Sequence, residues 1–246
     1  MTGVIINALG IILGGIIGLA RPVQLSVQAQ AFFRSLLGAC AIFFGLRLTW
    51  LSIGPSFGPM FKQLAIVMLA LMLGRLLGKL LHFQNTSNHL GQYARRVMET
   101  HRPNDPHRFS NGMNVCALLF CAAPLGIIGA IHASLPTENG GQGHWQVLAV
   151  KALMDGLAMM GFAAMFGAGA IFSALPVFVL QGTITLACGL YAEPFLRSHQ
   201  LLDSVNATGG LLVSMVSVVI FEIRRVELAD YLPALALAPL ITWLWK

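Results

Sequence analysis

Long apolar runs, broken by short polar segments, dominate the 246 residues of this chain. A helix needs roughly 20 apolar residues to cross the hydrocarbon of a bilayer. Eight runs approach or reach that length, at residues 3–20, 35–54, 61–82, 111–134, 148–167, 170–192, 208–223 and 231–245. They are continuous rather than alternating, which argues against membrane strands. Only Gly167, Ala168 and Gly169 separate the fifth run from the sixth, so seven spans is the rival count. The pattern predicts an all-α, polytopic transmembrane helical bundle, a single membrane domain over 1–246. The segment 84–110 is expected to be a cytoplasmic loop. Residues 23–33 are too polar to span; they read as an interfacial amphipathic helix or as the entrance to the second span.

Composition agrees with this pattern. Hydrophobic residues make up 57 % of the chain, charged residues 10 %, and the mean hydropathy is +0.76. A soluble domain carries about 25 % charged residues, so a soluble enzyme and a disordered chain are excluded. The net charge of +6 would suggest nucleic acid in a soluble protein. Here the basic residues lie between apolar runs, so no nucleic-acid partner is expected. Under the positive-inside rule they orient the chain. With the N-terminus outside, the inner ends hold Arg21, Arg34, Arg75, Lys79, Arg95, Arg96, Arg102, Arg108, Arg224 and Arg225. The outer side holds Lys62, Arg197 and Lys246, with Arg47 and Lys151 at or within outer span ends. Both termini are therefore expected outside. Trp50, Trp145, Trp243 and Trp245 fall near outer boundaries, a level that suits their amphipathic rings. No cleavable leader is evident before the first span.

A weak internal repeat accompanies this layout. Sliding residues 6–46 along by 172 aligns Gly10 with Gly182, Pro22 with Pro194 and Gly38 with Gly210, among seven identities. Both copies read as span, proline-bearing connector and span, entered from opposite sides. That is an inverted-topology repeat, a construction common in transporters and channels.

Few polar groups remain inside the apolar text. In the first span Gly10, Gly14 and Gly18 recur every four residues and form a smooth packing stripe. Asn7 lies near that face, where it lines a pathway or bonds a neighbouring helix. Lys151 and Asp155 are four apart and share a helix face. An intramembrane carboxylate is a functional candidate by default, against the alternative of a structural ion pair. In the sixth span Pro176 is expected to kink the helix, and Gln181 and Thr185 share a face at mid-span. Asn206 and Thr208 are expected to cap the seventh span, and Glu222 to pair with Arg224 or Arg225. The four cysteines form no CxxC, and neither histidines nor methionines form a ligand pattern, so no metal is expected. No cofactor motif, phosphate loop or catalytic constellation is legible, so no enzyme is expected.

Several ordered segments resemble one family along essentially the full length. They are GVIINALGIILGGIIGL at the start, LLFCAAPLGIIGAI at 118–131, KALMDG at 151–156, FSALPVFVLQGTITL at 172–186, ATGGLL at 207–212 and LPALALAP at 232–239. The chain resembles the YqgA-type bacterial inner-membrane proteins, the domain-of-unknown-function 554 family. The resemblance implies a multi-pass protein of the inner (plasma) membrane and marks Asn7, Lys151, Asp155, Pro176 and Gln181 as motif positions, without giving them a role. Ser204 departs from a common acidic residue of the family, Val219 from asparagine and Glu222 from glycine.

These readings converge on a carrier of a small solute or ion, facilitated or ion-coupled. Asp155, Lys151, Gln181, Thr185 and Asn7 form the candidate binding set. A passive channel, or a membrane scaffold or sensor working through the 84–110 segment, is the alternative. The partners expected are the bilayer and a small solute or cation, with a homo-oligomer left open.

Overall fold

Within lipid every backbone N–H and C=O must bond internally, and a continuous apolar run achieves this as a helix. A computed structural model describes the chain except residues 21–25, 55, 101–105, 137–141, 225 and 246. Arg21, Arg102, Arg225 and Lys246, used above for orientation, lie outside the described residues. The described residues are helical and contain no strand. The main helices are α1 (Thr2–Ala20), α2 (Val27–Leu51), α3 (Phe57–Leu80), α4 (Phe83–Glu99), α5 (Arg108–Ala122) and α6 (Pro124–His132). They continue as α7 (Gln146–Phe166), α8 (Ala174–Ala187), α9 (Glu193–Ser198), α10 (Leu202–Ile220) and α11 (Ala234–Leu244). Large apolar side chains such as Leu13, Met72, Leu76 and Leu175 face outward. That surface suits lipid and would be unusual in water.

Local chemistry sets several boundaries. The Ser26 hydroxyl accepts the Ala29 N–H and starts α2, so the second half of the 23–33 segment is the entrance to that helix. Pro124 lacks an N–H and follows an extended Ala123, and the axis bends by 61° between α5 and α6. Gly167, at φ +76°, ends α7, and a 3-10 turn (Gly167–Ser173) leads into α8. The 84–110 segment is less of a loop than its polarity suggests. Most of it is the amphipathic helix α4, which buries Ala94 and docks on the 3-10 turn Leu228–Tyr231. There the Gln84 N–H donates to the Asp230 carboxylate (2.8 Å) and the Gln84 side chain accepts from Ala229 N–H (3.2 Å).

Packing directions follow from which residues meet. Along α1, Gly3 meets Leu148, Gly10 meets Ala152 and Gly18 meets Met160, so α1 and α7 run parallel. Ile171 then lies on Gly15 and Gly182 beside Val4, so α8 returns antiparallel to α1. The 3-10 turn thus reverses the chain. α2 and α10 cross antiparallel with their backbones in contact, since a Cβ on Gly210 would stand 2.6 Å from the Gly45 carbonyl oxygen. Thr49 locks that crossing by donating to the Ala207 carbonyl (3.2 Å). α3 and α11 are also antiparallel, with Ala234 against Gly74 and Lys62 Nζ donating to the Trp245 carbonyl (2.9 Å). α10 is the most enclosed of the long helices and carries one core, with Leu202, Leu212 and Val213. A second core gathers Ile11, Val115, Met159 and Val177 from α1, α5, α7 and α8.

The count of eight spans is not reached by helix length and apolarity alone. Among the described residues five helical stretches meet that test, or six if the bent α5–α6 pair is one span. The stretch Gln146–Ser198 enters this count once although it folds back on itself, and α11 is too short to qualify alone.

Candidate functional site

Lys151 and Asp155 stand one turn apart on α7, and their spacing alone brings them together. Lys151 Nζ donates to Asp155 Oδ2 at 2.6 Å, with the two residues only 2 % and 6 % exposed. What surrounds the pair comes from four other helices. Asn7 of α1 lies beside Asp155 as a hydrogen-bond neighbour, and its Nδ2 donates to Gln181 Oε1 of α8 at 3.1 Å. Lys151 Nζ sits 5.7 Å above the Phe120 ring of α5, within cation–π range. Gly126 of α6 forms the remaining wall. A Cβ there would fall 2.8 Å from Lys151 Cε and 3.2 Å from Gln181 Nε2. A methyl at this position would displace the ends of these two polar side chains, so glycine lets both of them reach the space it leaves.

The break at Pro124 places this glycine. A bent helix leaves the last carbonyls of α5 without the N–H donors that a continuous helix would supply. Broken helices beside buried polar groups are a recurring way to build a binding site within a membrane. Two buried atoms of the cluster have no hydrogen-bond partner, the acceptor Asn7 Oδ1 and the donor Gln181 Nε2. The cluster therefore holds an ion pair with an unused donor and an unused acceptor next to it.

The other sequence-predicted residues take different places. Thr185 spends its hydroxyl proton on the Ala130 carbonyl (2.8 Å), which ties α8 to α6. Pro176 stands in the first turn of α8, where proline costs no helical hydrogen bond, so the break in this region is the preceding 3-10 turn. Gly10, Gly14 and Gly18 all face α7, and a Cβ on Gly14 or Gly18 would run into the Gly156 or Met160 carbonyl. This close approach of α1 to α7 is what puts Asn7 beside Asp155. Phe120 carries no signal in the sequence, whereas Pro124 followed by Gly126 marks an interruption of the fourth apolar run.

A second buried polar group ties α6 to α10. His132 Nδ1 meets Asn206 Oδ1 at 3.1 Å, and Asn206 Nδ2 donates to the Pro136 carbonyl at 2.9 Å. Because the Asn206 amide nitrogen is committed to Pro136, its oxygen must accept, which assigns the His132 proton to Nδ1. Asn206 is thus an interior residue of α10 and not its cap. Ser204 bonds Thr242 Oγ1 across to α11 (2.5 Å), and Glu222 pairs with Arg34 of α2 (2.8 Å); the expected partner Arg225 lies outside the described residues. Toward the start of α7, Arg47, His144, Trp145 and Gln146 line a cavity of about 220 Å³. Burial, aided by the Arg47 charge, holds the His144 imidazole below its usual range. Among the described residues no three of His, Cys, Asp and Glu gather as a metal site.

Comparison with known proteins places this site in a family context. Residues 2–243 match the family described as "Protein of unknown function (DUF554)". Over 244 residues the chain is 25 % identical to the "Uncharacterized protein YqgA" of Escherichia coli (strain K12), covering 99 % of this chain and 97 % of that one. It is also 25 % identical over 132 residues to the "Uncharacterized membrane protein YdfK" of Bacillus subtilis (strain 168), covering 54 % of each. The chain thus spans about half the length of the latter relative. No solved structure matches.

Proposed function

The chain belongs to this membrane-protein family of unknown function (DUF554), and from that premise we propose that it transports a small solute or ion through its own helical bundle, by facilitated or ion-coupled exchange. The observation that carries the reading is the Lys151–Asp155 pair, buried together with an unpartnered amide acceptor on Asn7 and an unpartnered amide donor on Gln181. A purely structural ion pair gains nothing from unsatisfied amides beside it, since each costs about 1–3 kcal/mol. A site that accepts a ligand requires such groups. Protonation of Asp155, or arrival of a monovalent cation at its carboxylate, neutralises the carboxylate, takes the pair from net zero to net +1 and frees the Lys151 ammonium from its counter-ion. Asn7 and Gln181 then offer one acceptor and one donor to the solute.

The repeat supports the same reading. The repeat of residues 6–46 at an offset of 172 falls on α1 and α8 and on α2 and α10, and each of these pairs packs antiparallel. Antiparallel contact between related helices is the arrangement of an inverted-topology repeat, whose interface is where transporters place substrate. In this reading α1, α2, α3, α5–α6, α7, α8, α10 and α11 make eight crossings of the inner membrane, with both termini outside. The decisive experiment compares wild type with Asp155→Asn in proteoliposomes under a proton or cation gradient. Flux that is lost or uncoupled in Asp155→Asn supports the proposal, and equal flux in both overturns the role of Asp155.

A further inference from the structure

A groove of about 670 Å³ lies away from this site, between α3 and α10. Met68, Met72 and Leu76 line one wall, and Leu211, Met215 and Val218 the other. The α3 side chains are strongly exposed: Met72 is 68 % and Leu76 69 % accessible. One end of the groove is different in kind. Arg75, Lys79 and Tyr231 close it, and the Arg75 guanidinium rests 5.8 Å over the Tyr231 ring. Glu227 approaches both cations but at 3.9 Å from each, the outer limit of an ion pair. One loosely held carboxylate shared by two cations leaves a net positive charge there.

The length of the groove is informative. From Met68 to Lys79 the helix rises about 16 Å, at 1.5 Å per residue. Half of a hydrocarbon core of roughly 30 Å is about 15 Å. Met68 stands at the middle of α3 and Lys79 in its last turn, so where α3 spans a bilayer the apolar walls run from mid-membrane toward one interface, with the cations at the interface end. We propose that this groove is a binding site for one anionic phospholipid, with an acyl chain along Met68, Met72 and Met215 and the phosphate held by Arg75 and Lys79. Basic pockets between transmembrane helices select anionic headgroups in this way. Methionine walls suit a flexible chain because thioether side chains repack at little cost.

The test uses the purified full-length protein in detergent, titrated with dioleoyl phosphatidylglycerol or dioleoyl phosphatidylcholine, with binding read by native mass spectrometry. The expected result for wild type is a preference for phosphatidylglycerol on the order of tenfold, set by two interfacial cations. Arg75→Gln/Lys79→Gln should abolish that preference. Glu227→Gln should increase it, because the competing carboxylate is removed; a merely structural role for these residues would not produce a gain. Leu76→Trp, at an exposed position on the groove wall that leaves the charges in place, should weaken both lipids and gives a second route if the double variant does not fold. Equal binding of the two lipids by wild type, a preference that survives in Arg75→Gln/Lys79→Gln, or undiminished binding of both lipids by Leu76→Trp would overturn the proposal.

Discussion

Replacing Lys151 by methionine removes one charge from a pair that is almost wholly enclosed. The stem of the side chain is kept, so the packing against Phe120 and Gly126 changes little and the charge is the main variable. Asp155, only 6 % exposed, is then left without its counter-ion. Breaking a buried pair from one side costs about 3–5 kcal/mol. At roughly 2–4 °C per kcal/mol for a chain of this size, the melting temperature should fall by about 10 °C. The double variant Lys151→Met/Asp155→Leu removes both charges and should recover most of that loss, because a well-packed apolar pair replaces a buried ion pair at little or no cost. Flux should behave differently: absent in both variants, including the one whose stability returns. The assay is a thermal melt in detergent beside transport in proteoliposomes, over the full double-mutant cycle. Two results would refute the reasoning. An unchanged melting temperature in Lys151→Met would mean that the pair is not energetically coupled. Full transport by the stable double variant would mean that the pair is only structural.

Four other outcomes can be checked with the same preparations. Gly14→Ala places a methyl against the Gly156 backbone and should cost about 1–3 kcal/mol in a thermal melt. Gly91→Ala, in open space on α4, should be neutral or stabilising by up to about 1 kcal/mol. His144 is held below the usual histidine range, so on acidification the unfolded chain takes up its proton before the folded protein does. Stability should therefore decline as pH drops through the unfolded histidine value near 6.5, and His144→Gln should flatten that decline between pH 7 and 5. With the four native cysteines replaced, Gln142→Cys should react with an impermeant thiol reagent from outside and Thr100→Cys only after permeabilisation; the reverse pattern would invert the proposed topology.

Particular residues show how much could be read before folding. The apolar runs of α1, α2 and α3 were legible as membrane helices, because a long run without charge has few other fates. The Lys151–Asp155 contact was legible because it lies within one turn. The glycine stripe of α1 was legible as a packing face, but its partner α7 was not. Asn206 was misread as a cap: a polar residue before Gly209-Gly210 carries the local signature of a helix start, and only the enclosure of α10 shows it to be interior. Where Pro176 falls within its helix depends on where the preceding 3-10 turn ends, which the sequence does not mark.

The sequence by itself determined that the chain is helical and membrane-borne, which of its residues are charged within apolar text, and which neighbours meet across one turn. Only the tertiary structure decided that Asn7 would meet Gln181, 174 residues away, and that Gly126 would wall in Lys151. The physical reason lies in the solvent. In water the apolar stripe of a helix declares which face is buried. In a bilayer both the lipid-facing and the helix-facing sides are apolar, so periodicity does not distinguish them. Helix partners are then chosen by the fit of small residues and by a few polar contacts, and those depend on the whole bundle being in place.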